Sequence, residues 1–132
     1  MKEENKKIII GRWFKKAGDD ELNIRSILKN RDGAPSGICF LSQQMAEKYL
    51  KALLIFFDLE LVKIYDLIKL SLFLEKDAPQ VKEIGKEAAM LNQYYIATRY
   101  VGDFPDFSWK DAEDAYSAAI KIKEFVLSKL KS

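Results

Sequence analysis

Residues 39–60 read CFLSQQMAEKYLKALLIFFDLE, and where the polar residues fall within this apolar stretch decides the fold. On a helix turning about 100° per residue, Ile38, Leu41, Met45, Tyr49, Leu50, Leu53, Phe56 and Phe57 fill roughly half the circumference. Such a face is wider than one neighbour can cover, so the segment reads as the central helix of a bundle. Gln44, Glu47, Lys48 and Lys51 cluster on the opposite side, with Gln44 and Lys48, and Glu47 and Lys51, four residues apart. The second pair can interact favourably, and the four together read as a solvated face. Ser42 falls inside the apolar arc, where a bond back to the Ile38 carbonyl would satisfy its hydroxyl. Gln43 sits at the edge of the arc, placed either to reach water or to make a polar contact with another helix or subunit.

Helical spacing extends outward on both sides. Ile10, Trp13, Phe14, Ala17, Ile24 and Leu28 define a first helix, stopped by the turn-rich NRDGAPSG of residues 30–37. Ser36 is the expected cap of the second helix, which runs to about Phe57. Asp66 or a neighbour opens a short third helix with Leu67, Leu70 and Leu74 on one side, broken at Pro79. Val81, Ile84, Ala88, Leu91, Tyr95 and Thr98 form the stripe of a fourth, ending at the loop RYVGDFPDFS. Ser108 and Asp111 resemble a capping box for a last helix from Trp109 to about Leu130, with Ala112, Ala115, Ala119, Ile122, Val126 and Leu130 inward. Glu21 is out of place within the first stripe and needs a groove, a partner or a lysine to neutralise it. No segment alternates as a strand would. The expectation is a single all-α domain over residues 1–132, an up-and-down bundle of four long helices plus one short helix.

Composition narrows the function classes. The 132 residues carry 22 basic and 20 acidic side chains, a net charge of +2, so no whole-molecule field draws the protein to nucleic acid or membrane. Arg12, Lys15 and Lys16 follow the apolar IIIG segment too soon for a signal peptide or membrane span. A single cysteine, Cys39, excludes an intramolecular disulfide and fits a reducing compartment. A cytoplasmic protein without cofactor or metal is expected. The chain has no histidine, which removes the commonest general base. No glycine-rich phosphate loop, paired-carboxylate motif or acidic metal loop is present.

Three segments resemble the HEPN family, the nucleotide-binding domain named from higher eukaryotes and prokaryotes. Trp13, Ala17 and Asp20 match its opening W-x3-A-x2-D pattern; Phe40 through Leu54, FLSQQMAEKYLKALL, is close to F-x-x-Q-Q-A-A-E-K-A-L-K-A-L-L; and Tyr95 through Tyr100, YIATRY, is similar to Y-I-x-x-R-Y. The second is the specific one. Where many members have histidine-aspartate-leucine at the third helix this chain has Tyr65, Asp66 and Leu67, and Val101 stands where many have proline.

The resemblance implies a nucleotide-binding or accessory module, a homodimer, often partnered with a minimal nucleotidyltransferase in a toxin-antitoxin or nucleotide-handling system. Arg99, Tyr100, Asp20, Gln43 and Glu47 become the candidate binding residues, with nucleotide or RNA as ligand. Arg99 stands where a helix meets a loop and could grip a phosphate or carboxylate, or instead cap helix four or pair with Asp103 or Asp106. Family ribonucleases carry a histidine a few residues after this arginine, and none follows here. Arginine cannot serve as a base while charged, so the simpler inference is that this member lacks that chemistry. The alternative is a metal-independent ribonuclease toxin using Arg99 without histidine. Phe104, Phe107 and Trp109 could stack on a base, but a loop folded onto the bundle would bury them, and burial is the favoured reading.

Overall fold

The computed structural model describes residues 2–97 and 106–131. Helix α1 spans Glu3–Asn30. It begins a full two turns before Ile10, where Glu3 and Glu4 in the first turn favour the positive end of the helix dipole. It stops at Arg31, a non-glycine residue in the left-handed region (φ 55°) whose amide donates to the Ile27 carbonyl at 2.8 Å. Gly33, the residue best suited to that conformation, is not used for it.

Helix α2 spans Pro35–Phe56, with Ala34 as its cap. Ser36 therefore lies inside the first turn rather than capping it. Proline dictates this start, because its fixed φ suits the first helical position and its missing N–H would be unsatisfied there anyway. At the other end Asp58 adopts φ 58°, and Lys6 of α1 reaches across to the Phe56 carbonyl at 3.2 Å and to Asp58 Oδ2 at 3.0 Å. A cation thus closes the negative end of α2.

Helix α3, Leu67–Leu74, is capped by Asp66, whose Oδ1 accepts from the amides of Ile68 (3.0 Å) and Lys69 (3.2 Å). Its inner residues are Leu67, Leu70 and Leu74, as the spacing predicts. Pro79 opens a 3-10 turn through Ile84, and the α-helical part of the next element, α4, covers only Gly85–Ala97. The apolar stripe begun by Val81 and Ile84 is continuous with that of Ala88 and Leu91, so spacing reveals the stripe but not the tighter first turns. Helix α5, Trp109–Leu130, carries the full Ser108/Asp111 capping box, each side chain bonding the other's backbone amide at 3.1 and 2.9 Å.

The fold is all-α, and the described residues contain no strand. Helix α2 lies between α1 and α5 and also touches α3 and α4, which explains why its apolar arc has to be so wide. Met45, Leu50, Leu53 and Leu54 are fully buried, each worth about 1.5–3 kcal/mol of transfer free energy. Facing them, Ala112, Ala115, Ala118 and Ala119 are buried small residues that let α5 approach closely. No helix among the described residues is long and apolar enough to cross a membrane.

Candidate functional site

The side of α2 that reads as solvated is largely covered. Lys51 is buried, and the side chains of Glu47 and Lys48 keep only 13% and 20% of their exposure. Helix α1 does the covering: Trp13 lies 5.8 Å from the Lys51 ammonium, and Asp20 receives a hydrogen bond from Lys48 Nζ. The Gln44 and Lys48 spacing is therefore not used as a pair, because Lys48 turns to Asp20 and Gln44 donates to Gln43 Oε1 at 2.7 Å. The Glu47 and Lys51 spacing is used, at 2.8 Å. An ion pair this sheltered gives up hydration on both charges, so it orients the groups more than it stabilises the fold.

Burial acts on Asp20: its desolvation raises the carboxyl above the ordinary 3.8, against the opposing pull of Lys48. Its neighbour Glu21 shifts the other way. Desolvation pushes it up, but hydrogen bonds from Lys123 Nζ (2.8 Å) and Tyr116 Oη (2.6 Å) outweigh that and lower it below 4.5. The acidic residue that breaks the α1 stripe is thus neutralised by a lysine, one of the partners its position demands.

Gln43 is completely buried. Its Nε2 donates to the Tyr65 carbonyl at 2.9 Å and approaches Glu47 Oε1 at 3.4 Å, so it makes a polar contact within the chain and does not reach water. The partner is the segment leading into α3 rather than a helix itself. Ser42 Oγ, by contrast, is buried with no hydrogen-bond partner among the described residues, so the bond back to Ile38 is not made.

By fixing Tyr65, Gln43 shapes one wall of a cavity of about 250 Å³ lined by Gln44, Glu47, Lys51, Lys63, Ile64, Tyr65 and Tyr95. The Tyr65 and Tyr95 rings stack with centroids 3.7 Å apart and planes within 6°. The base of this wall is held from α4: Asn92 donates to Asp66 Oδ1 and accepts from the Leu67 amide, both at 2.8 Å. Lys51 spends its charge on Glu47, whereas Lys63 is exposed and makes no ion pair among the described residues. The cavity therefore offers one uncommitted ammonium, an amide and a stacked aromatic wall.

Of the candidates drawn from sequence, Gln43 and Glu47 meet at this cavity, Glu47 in its lining and Gln43 behind it. Asp20 does not join them; it is occupied with Lys48. Arg99 and Tyr100 lie outside the described residues, as do Thr98, Asp103 and Phe104. Phe107 packs edge-on against Tyr94, with centroids 5.0 Å apart, and Trp109 is half-buried under Arg31. Sequence reasoning misses Lys63, Tyr65 as a lining residue, and Asn92, because their roles depend on how the 58–66 segment crosses α2. The only sequence signal for that crossing is the Asp66 cap. No group of three or more carboxylates or cysteines is placed to hold a metal among the described residues.

The model of the HEPN domain matches residues 10–130. Two solved structures share the architecture. TT1696 from Thermus thermophilus is 27% identical, with a TM-score of 0.81, over 91% of this chain and 97% of its own. ST0689, described as an archaeal HEPN homologue, is 28% identical with a TM-score of 0.72, over 91% of this chain and 96% of its own. Among curated proteins none matches.

Proposed function

The chain belongs to the HEPN family, and from that membership we propose a nucleotide-binding accessory module that works as a homodimer beside a minimal nucleotidyltransferase. The observation that carries the nucleotide part is Lys63 set beside the stacked Tyr65 and Tyr95 in one cavity. An uncommitted ammonium suits a phosphate oxygen, and an aromatic wall suits the face of a base. At about 250 Å³ the cavity is smaller than the ~300–1,000 Å³ typical of drug-sized ligands, so it accepts one end of a mononucleotide and leaves the rest at the surface. Glu47 and Gln44 supply an acceptor and a donor for polar edges.

Dimer formation is supported by the exposed apolar residues Ile68, Leu72 and Phe73 of α3, which none of the described elements covers. The nucleotidyltransferase partner rests on family membership alone. Cleavage of RNA is not part of the proposal, since the sequence holds no histidine to move the proton from a 2′-hydroxyl.

Isothermal titration with ATP tests the binding role, with Lys63→Ala as the variant. Incubation with single-stranded RNA tests the excluded one: intact RNA is expected, and cutting that disappears in Arg99→Ala would replace the accessory role with a ribonuclease.

A further inference from the structure

Away from the Lys63 cavity, the end of α1 and the start of α5 form an open groove of about 700 Å³. Arg25, Lys29 and Arg31 line it, against a single carboxylate, Glu113. Arg25 and Lys29 are exposed, one helical turn apart, and neither makes an ion pair among the described residues. Arg25 does sense Glu21, whose carboxyl it helps to lower, but Glu21 is already bonded to Lys123 and Tyr116. Arg31 is held over the Trp109 ring, 4.4 Å from its centroid, and lies 3.8 Å from Glu113. Stacking restrains the guanidinium while leaving its N–H edge open, which reduces the ordering cost of gripping an oxyanion.

The groove also contains the end of a helix. The last four carbonyls of α1 have no partner within the helix, and the Arg31 amide takes only that of Ile27. Among the described residues no backbone donor outside the helix reaches those of Leu28, Lys29 and Asn30. A ligand for this place must bring anions for three cations and N–H donors for the carbonyls.

We infer that the groove is a docking site for an acidic, extended segment of a partner protein. A polypeptide supplies both requirements, carboxylates from its side chains and donors from its backbone. The phosphates of a nucleic acid supply acceptors only, and their regular charges would run beyond the cationic lining onto the acidic start of α5, which holds Asp111 and then Glu113 and Asp114. Confined charge of this kind favours a short acidic stretch over a long polyanion. Glu113 is the counter-charge a docked carboxylate displaces from Arg31.

Fluorescence anisotropy of a fluorescein-labelled peptide of four Gly-Glu repeats tests this at low ionic strength, beside a labelled uridine oligonucleotide of equal charge. Saturable peptide binding is expected, weakening as salt is added. Arg25→Glu combined with Lys29→Glu should reduce affinity at least tenfold while circular dichroism shows the helical fold retained at the assay temperature, since both side chains are exposed. Glu113→Gln should tighten binding several-fold, a gain that misfolding cannot imitate. No binding of the peptide, an affinity indifferent to the charge reversal, or tighter binding of the oligonucleotide than of the peptide would overturn the assignment. ATP titration of the charge-reversed protein separates this groove from the Lys63 cavity, because nucleotide binding is expected to survive.

Discussion

Removing Lys123 from beneath Glu21 tests how the outer helices are tied together. Glu21 of α1 and Lys123 of α5 meet at 2.8 Å across a separation of 102 residues, with Tyr116 adding its hydroxyl at 2.6 Å. Their side chains retain 13% and 29% of their exposure, between the fully buried and the surface cases. Breaking a fully buried pair costs about 3–5 kcal/mol, while an exposed pair is worth about 0–1 kcal/mol. An intermediate loss of about 2 kcal/mol is therefore expected for Lys123→Met. At this chain length that corresponds to a fall of roughly 6–8 °C in melting temperature. Glu21→Leu should cost less, because leucine continues the stripe of Ala17 and Ile24, although Tyr116 loses its acceptor. The double variant should recover part of the loss, with a coupling of about 1–2 kcal/mol in a thermodynamic cycle.

Acid should erase the effect. The folded Glu21 carboxyl lies below its ordinary 4.5, so its contribution is present above that pH and is lost as pH falls through the lower folded value. Urea titrations followed by circular dichroism in steps from pH 7 down to pH 3 measure both quantities. Additive single effects at pH 7, or a Lys123→Met loss that does not shrink as the pH is lowered stepwise from 7, would refute the reasoning.

Two further substitutions address the cavity and the α1 face. Gln43→Leu leaves the Tyr65 carbonyl without its donor at a part-buried contact, and the expected net loss, after the gain in apolar burial, is about 1 kcal/mol by urea denaturation. Asp20 titrates in the opposite sense from Glu21: its folded carboxyl is raised by burial, so the stability it contributes is present below 3.8 and lost as pH rises through the folded value. Asp20→Asn should remove that decline, and melting temperatures measured from pH 3 upward should rise more steeply than those of the parent protein, because the gain from Glu21 is then unopposed.

The central helix is legible in the sequence because burial on several sides leaves a wide apolar arc. Asp66, Ser108 and Asp111 are legible as caps for a local reason, since each side chain bonds amides two or three residues away. What escapes is set by other constraints. Ser36 resembles a cap, but Pro35 claims the first turn, and Glu47 and Lys51 resemble a solvated pair because a helical wheel cannot show Trp13 and the 58–66 segment folding over them. Gln43 stands out as unusual, yet its partner, a backbone carbonyl 22 residues away, leaves no trace in composition or period. Lys63 has no local signal at all, and its place in the cavity follows only from the path of the chain between Asp58 and Asp66.

The proposed nucleotide-binding role stands on Lys63 and the stacked tyrosines, and titration calorimetry with ATP on the parent protein and Lys63→Ala tests it most directly. One saturable site is expected, weakened about tenfold in the variant, which is about 1.4 kcal/mol for the loss of one charge-assisted contact. No heat of binding at millimolar ATP, or equal affinity in the two proteins, would contradict it.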